Sequence, residues 1–496
     1  MNLDPSACHR AVQARDVRYD GRFFTCVKTT GIYCRPICPA RTPKLESCLF
    51  VPTAAAAQEA GFRPCLRCRP ESSPDLDAWR GTSATVSRAL KLIEGGALDE
   101  DDVNALADRL EIGERQLRRL FRQHIGAAPI TVAQTRRVLL AKQLIHQTSL
   151  PMIEVALASG FGSVRRFNET FQHLYHRPPG ELRRRLSGKP AAPVTPNPEI
   201  SLLLPYRPPY DWAEILAFLT GRAITGVEVV ADGSYSRVIE LGGTTGTVTV
   251  THAPAQSALR VAVRFPRLDA LPVIIARLRR MFDLSADPGA IASVLSQDSV
   301  LAPLVARRPG LRVPGAWDSF EVAIRAVLGQ QITVKGAIQL ASRLVAATGT
   351  PVETTIPGLT HAFPQPGHLH AGVLANLGVP GARAAALAGV AAAAEADPHL
   401  FDPRRDLAET VAHLCQLPGI GEWTAQYIAM RALGESDAFL AADVGVQKGF
   451  AMQGPRPTAR ELLSRAESWR PWRAYAVLHL WAATKDPIPS SNPNPP

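Results

Sequence analysis

The sequence predicts a multidomain α+β protein: a small cysteine-built domain, an all-α domain, a small antiparallel-sheet domain and a second, larger helical domain. Three observations lead there. A chain of 496 residues exceeds what one ordinary core holds. Hydrophobic periodicity runs helical, then alternating, then helical again along the chain. Seven of the eight cysteines fall within the first 68 residues, and the last is Cys415, so they serve a local purpose rather than a chain-wide disulfide scaffold.

Composition narrows the function. No stretch approaches the roughly 20 uninterrupted apolar residues of a membrane span, and MNLDPSACHR lacks the apolar run of a signal peptide. A cytoplasmic protein with no membrane partner is expected. Residues 1–190 hold 29 Lys+Arg against 19 Asp+Glu, whereas the rest hold 26 against 25, so the amino-terminal part is the one suited to phosphates. SGKPAAPVTPNP (187–198) is too proline-rich for a domain interior and reads as a spacer between two halves. DPIPSSNPNPP at the end reads as a disordered tail.

Cys34 and Cys38 in KTTGIYCRPIC are answered by Cys65 and Cys68 in GFRPCLRCRP, a C-x3-C pair and a C-x2-C pair with 26 residues between. Four thiolates on two short loops suit tetrahedral zinc. From spacing alone, a purely structural zinc knot is the usual reading of such a set. The two strings resemble the amino-terminal domain of Ada-type adaptive-response proteins over residues 8 to 75, with Lys28 at the head of the first string where the family's general form has arginine. The resemblance implies that Cys34 both ligates zinc and takes a methyl group from a DNA methylphosphotriester, with Cys38, Cys65 and Cys68 as the other ligands. Cys26 and Cys48, without partners at metal spacing, are expected to be core thiols. ACHR at 7–10 resembles the PCHR string of alkylguanine methyltransferases but lacks the proline and the rest of that domain, so no chemistry is assigned to it.

Residues 84–186 are helical in pattern throughout. Two stretches share one form: VNALADRLEIGERQLRRLFRQHIG, turning at Ile112 and Gly113, and IEVALASGFGSVRRFNETFQHLYHRPPGELRR, turning at Gly160 to Gly162. Each second helix alternates arginine with Leu or Phe, so that one face packs and the other faces a major groove. These are Arg115, Arg118, Arg119 and Arg122 in the first, and Arg165, Arg166 and Asn168 in the second. A merely solvated face is the competing reading for any one such helix. The GF-x-S-x-x-x-F core and PxELRR end resemble AraC-type regulators, which implies double-stranded DNA as partner and, for a transcriptional activator, RNA polymerase. His124, His173 and His176 are expected at the surface rather than as ligands.

From 200 to about 265, GVEVVA, SRVIEL, GTVTVTH and ALRVAVRF alternate with Gly-rich turns and predict the antiparallel sheet. Helices return after about 290. Among them LPGIGEWTA (417–425) is a G-I-G turn at a helix start, where Gly419 and Gly421 open the backbone to a phosphate and Thr424 follows; Asp443 lies twenty-two residues beyond Gly421. This pairing, with PYDWAEILAFL, FEVAIRAVLGQQIT and WRPWRAYAVLHLWA, resembles the AlkA-type 3-methyladenine glycosylases of the helix-hairpin-helix class over residues 200 to 485. The resemblance implies that Asp443 is the catalytic carboxylate rather than only a helix cap. It also places Phe218, Trp423, Tyr427 and Trp481 around the flipped base and Gln331 at the wedge that fills its gap. Trp423 stands where strand-nicking relatives carry a Schiff-base lysine, and Cys415 alone cannot hold an iron–sulfur cluster, so a monofunctional N-glycosylase is expected. Val444 follows the aspartate where relatives have an aromatic side chain.

The expected organisation is a zinc-binding methyl acceptor (1–78), a double helix-turn-helix domain (84–187), a Pro-rich linker (188–198), a sheet domain (199–290), a helix-hairpin-helix DNA glycosylase domain (291–485) and a tail (486–496). The expected function is a response to DNA alkylation: methyl capture by Cys34, transcriptional activation, and excision of alkylated purines from alkylated DNA. A transcription regulator whose carboxy-terminal half grips DNA without catalysis is the alternative.

Overall fold

The computed structural model describes residues 3–73, 84–99, 102–187, 199–402, 406–452 and 455–485. The spacer at 188–198 and the tail at 486–496 lie outside them.

In the first domain, α1 (Pro5–Gln13) starts at Asp4, whose carboxylate accepts from the Ser6 and Ala7 amides. Strands β1 (Phe24–Val27), β2 (Ile32–Cys34), β3 (Cys48–Val51) and β4 (Arg63–Pro64) form a sheet in the order β3-β1-β2-β4, with β2 and β4 parallel and the other pairs antiparallel. Helix α2 (Ala54–Glu59) follows β3. Cys26 is fully buried, as expected, and burial pushes its thiol up to about 12. Cys48 differs from expectation: it is only half-buried, because it opens edge strand β3, and its thiol donates to the Lys44 carbonyl at 3.2 Å. Cys8 is buried in α1, and burial, then Asp4, raises it to about 11, which suits an inert thiol.

Among the described residues seven helices make the second domain: α3 (Ala84–Glu94), α4 (Val103–Arg109), α5 (Glu114–His124), α6 (Pro129–Gln147), α7 (Met152–Ala158), α8 (Val164–Tyr175) and α9 (Pro179–Ser187). The pairs α4–α5 and α7–α8 are the two expected helix-turn-helix units. Leu117 and Phe121 on α5, and Phe167 and Phe171 on α8, are fully buried at four-residue spacing. Gly160 between α7 and α8 adopts φ +81°, a left-handed conformation that a side chain resists.

The third region is a five-stranded antiparallel sheet in the order β5-β9-β8-β7-β6, from β5 (Ile200–Pro205), β6 (Glu228–Ala231), β7 (Ser234–Leu241), β8 (Thr244–Ala253) and β9 (Ala258–Arg264). Asp232-Gly233 and Gly242-Gly243 join β6–β7 and β7–β8, all four at positive φ, the backbone that a two-residue hairpin of matching twist requires. Helix α10 (Trp212–Thr220) lies between β5 and β6, and α11 (Leu271–Met281) follows the sheet. The outer edge of β5 meets α6 instead of solvent: the Gln143 side chain donates to the Leu203 carbonyl at 2.9 Å, and the Gln147 side chain accepts from the Leu203 amide at 2.8 Å. Two glutamines thus replace a neighbouring strand. One apolar core runs from Val138 and Phe171 through Leu202 and Val261 to Trp317, so it spans the second domain and the sheet.

The remaining helices are α12 (Pro288–Leu295), α13 (Leu301–Arg307), α14 (Ser319–Leu328), α15 (Val334–Thr348), α16 (Ala371–Asn376), α17 (Gly381–Ala396), α18 (Leu407–Leu414), α19 (Glu422–Arg431), α20 (Val444–Ala451), α21 (Ala459–Ala466) and α22 (Arg473–Ala483). Two cores organise them, one around Trp469, Trp472 and α22, the other around α14, α17 and α19. Among the described residues no helix is long and apolar enough to cross a membrane.

Trp469 is fully buried, edge-on to Phe439 at 5.7 Å, and donates its indole N–H to Asp298 at 2.9 Å. Trp469→Ala is expected to cost about 3–5 kcal/mol, read as a lowered denaturation midpoint. Asp298 itself sits at about 2 against an ordinary 3.8: burial would raise it, but Arg465, Trp469 and two backbone amides outweigh that. Because the folded state holds this proton more weakly than the unfolded chain, the contribution is full above the ordinary value and fades as pH falls towards 2. The Asp298→Asn protein should show a smaller loss of stability between pH 5 and pH 2, measured by denaturant titration at each pH.

Candidate functional site

Two sites emerge, one in each half. In the first, the sulfurs of Cys34, Cys38, Cys65 and Cys68 lie within 4.8 Å of one another. Cys34 closes β2, and the loop after β4 brings Cys65 and Cys68 to it. The Arg35 amide donates to Cys68 Sγ and the Arg67 amide to Cys65 Sγ, each at 3.3 Å, the contacts that steady metal-bound thiolates. Four sulfurs at this spacing with backbone donors behind them fit zinc. Cys38, Cys65 and Cys68 are buried, whereas Cys34 is half-buried, the least enclosed ligand of the four.

A residue that spacing did not single out fixes this knot. Arg35, next to Cys34, donates Nε to Asp20 at 2.8 Å and a second nitrogen to the other oxygen of the same carboxylate, and it also reaches the Cys68 carbonyl and Ser72. Asp20 is buried. The string supplies an arginine beside the cysteine; only the fold supplies its carboxylate, fifteen residues earlier.

On the helix-turn-helix units, Arg115, Arg118, Arg119, Arg165, Arg166 and Asn168 are all exposed. Arg118 pairs with Glu114 and Arg165 with Glu169 one helical turn away, surface pairs of little energetic weight that a phosphate or base can displace. Arg122 points elsewhere, to Glu59 of the first domain at 2.9 Å. His173 and His176 are exposed and His124 is half-buried.

The second site is a cavity of about 490 Å³ between α10, α14, α19 and α22, and it brings Phe218, Trp423, Tyr427, Asp443 and Trp481 together. Asp443 is the N-cap of α20, its Oδ1 accepting from the Val446 amide at 2.9 Å. Capping and chemistry are therefore not alternatives for this carboxylate. Trp481 Nε1 donates to Oδ1 at 2.8 Å and Trp423 Nε1 to Oδ2 at 3.2 Å. The two tryptophans, expected as flat walls for a base, also hold the carboxylate. Trp423 and Tyr427 lie parallel, 5.3 Å between ring centres.

Phe218 lines the cavity, and Arg222 Cζ lies 3.8 Å and Arg431 Cζ 4.6 Å from its centre, so the protein's own cations already occupy its π-cloud. Arg431 also donates to the Tyr427 hydroxyl at 2.7 Å. Burial would raise the Tyr427 phenol, but Arg431, Arg222 and Arg325 hold it below its ordinary value. Beneath them Arg325 and Arg237 bind Glu228 and Glu321, all buried or nearly so; burial alone would raise Glu228, and the two guanidiniums bring it down. Lone arginines inside apolar strings carry no sequence signal, because only the fold tells a buried guanidinium from a solvated one.

The hairpin behaves unevenly. Gly419 has φ +79°, and a Cβ there would lie 2.4 Å from that of Ala386, so glycine is required. Gly421 has an ordinary φ, and its missing Cβ faces open space, leaving the start of α19 approachable from outside. Thr424 is not on that surface: it is buried and accepts from Gln330 at 3.2 Å, since its side chain falls on the packed face of α19. Gln330 also donates to the Gly419 carbonyl at 2.7 Å, tying the loop after α14 to the hairpin. Gln331 projects beyond it, exposed and at φ +58°, beside the exposed apolar side chains of Ile332 and Val334. Val444, next to Asp443, is exposed.

Comparison with known proteins agrees with this layout. Family models match the metal binding domain of Ada at residues 7–71, a helix-turn-helix domain at 106–185 and the AlkA N-terminal domain at 201–318. DNA-3-methyladenine glycosylase 2 of Escherichia coli is 35% identical over 281 residues, covering 56% of this chain and 95% of its own. The solved 3-methyladenine DNA-glycosylase of Archaeoglobus fulgidus, 22% identical with a TM-score of 0.51, covers 58% of this chain and 98% of its own and shares the fold. The probable bifunctional transcriptional activator/DNA repair enzyme AlkA of Mycobacterium tuberculosis is 40% identical over 488 residues, 98% of each chain. With that identity over nearly the whole of both chains, the chain belongs to the family of bifunctional transcriptional activator/DNA repair enzymes.

Proposed function

We propose that this protein answers DNA alkylation with two chemistries, methyl capture at Cys34 and base release at Asp443, joined by a DNA-reading domain. The proposed units are 1–78 for capture, 84–187 for reading, 199–290 for the sheet and 291–485 for excision. The single observation that carries the first is the lesser burial of Cys34 beside three buried ligands. Bound zinc keeps the sulfurs deprotonated at neutral pH. Cys34 Sγ attacks the methyl carbon of a methylphosphotriester; an S–C bond forms, the C–O bond breaks, and the phosphodiester leaves as its anion. The thioether is not removed, so the site fires once. Four thiolates around a divalent cation total about −2 in charge, and methylation removes one negative charge beside DNA. Arg115, Arg119, Arg166 and Asn168 then read a promoter, for which RNA polymerase is the fitting partner and the cytoplasm the fitting place.

For the second, the supporting geometry is Asp443 held by two indoles in a cavity large enough for a purine. An alkylated purine such as 3-methyladenine carries positive charge and departs without an acid. The glycosidic bond breaks with its electrons leaving on the base, and the carboxylate steadies the sugar cation while water adds and loses a proton. Trp423 and Trp481 keep Asp443 pointed at that carbon and Trp481 offers a face to the base. Gln331 and Ile332 project where an extruded base leaves a gap. A half that only gripped DNA would leave this cavity and its carboxylate without use.

Base release from methylated duplex DNA should fall at least about 100-fold in Asp443→Asn while duplex affinity holds; unchanged release would remove the glycosylase reading. After incubation with methylated DNA, mass spectrometry should place one added methyl on the Cys34 peptide, and the Cys34→Ser protein should gain none. Trp481→Phe keeps the wall but loses the N–H, so its kcat should drop by about tenfold, the loss of one hydrogen bond to a charged group.

A further inference from the structure

Beyond the apolar core that they share, the two halves make polar contacts that neither chemistry uses. Arg22 of the first domain donates to Asp287 at 2.8 Å, and Arg207 faces the same carboxylate, which is wholly buried. A second contact is made by α3 of the DNA-reading domain. Arg88, only 2% exposed along its side chain, grips Glu435 through Nε at 3.1 Å and through its terminal nitrogen at 2.9 Å. One turn on, Lys91 donates to the Leu433 and Gly434 carbonyls, each at 2.9 Å.

What α3 holds is the segment that leaves α19. Helix α19 carries Trp423 and Tyr427, and its terminal carbonyls need donors that the helix cannot provide. The chain's own amides meet those of Ile428 and Ala429, and Lys91 holds the Leu433 and Gly434 carbonyls just beyond the helix end, with a positive charge where the helix dipole favours one. The Glu435 amide folds back to the Ala429 carbonyl at 3.0 Å, and the Ala438 amide to the Glu435 carbonyl at 3.2 Å. From the other side, Arg473 holds Asp437 at 2.8 Å, and the Phe439 amide donates to Gln426 on α19 at 3.2 Å. Asp443 comes eight residues after Glu435 along this clamped strip. The bidentate arginine fork is the most directional ion pair available, and here it joins two domains across 347 residues of chain.

We infer that Arg88 and Lys91 are positioning residues for base release: α3 of the DNA-reading half braces Leu433 to Glu435, and through them the Trp423–Asp443 pair, so excision runs at full rate only while the two halves are docked. The inference rests on the reading of Asp443 as the reacting carboxylate. It makes the glycosylase of this chain dependent on a domain that carries none of its chemistry.

The test uses the full chain with a protease site built into 188–198, cut after folding. Wild type, Arg88→Glu, Glu435→Arg, the doubly exchanged protein and Arg88→Lys are compared by co-elution of the cut halves and by kcat and KM for 3-methyladenine release. The cut wild-type halves should co-elute at micromolar concentration. Each single exchange should lower kcat by about tenfold, as small misplacements do, with KM for DNA within about twofold. The double exchange should restore kcat to within about threefold, and Arg88→Lys should fall between. Separation of the wild-type halves, wild-type kcat in both single exchanges, or a double exchange no better than either single would overturn the inference. Co-eluting halves that release no base even in the wild type would instead sink the glycosylase reading, and the brace with it.

Discussion

A carboxylate at the wall of a cavity must be held by donors, or it turns to water. Asp443 is held by three: the Val446 amide, Trp481 and Trp423. Each belongs to a different element, α20, α22 and α19, so the site exists only where those helices pack together. The buried tryptophans and leucines around α22 fix that packing, and the hairpin before α19 fixes where Trp423 can stand. Much of the carboxy-terminal architecture serves this one constraint.

The amino-terminal site solves a related problem with a different anion. Four sulfurs are gathered by two short loops, three are buried, and one is half-buried. Arg35 and Asp20 lock the loop that bears the least buried of them, Cys34, so it is accessible without being loose. Both centres therefore follow one physical logic: an anion kept poorly hydrated, restrained by fixed donors and reached from one side. The electrostatics of the cavity beside Asp443 are less simple than a ring of electron-rich faces. Arg222 and Arg431 lie on Phe218, and Arg431 also holds Tyr427, so part of the aromatic surface is spent on the protein's own cations.

The division of labour among neighbouring residues shows where sequence reasoning stops. Thr424 and Gln331 sit in strings that match the family, yet one is buried against Gln330 and the other projects into solvent. A string gives the order of side chains along a helix or turn, but which face is packed depends on the partner element. Arg118 and Arg122 differ in the same way: they are four residues apart, one reaching along its own helix and the other across to Glu59.

By itself the sequence determined what is local or chemically restrictive. Cysteine spacing named the metal, the change of period separated helices from sheet, and paired glycines marked the turns, because each follows from covalent geometry or ligand preference over a few residues. Tertiary structure alone decided which cysteine of the four is least buried, that Asp443 caps a helix while two indoles hold it, that Gln143 and Gln147 finish the edge of β5, and that α3 reaches the segment ahead of Asp443. Those depend on burial and on contacts between residues tens to hundreds of positions apart. Desolvation is a property of the packed whole, and no stretch of chain carries it alone.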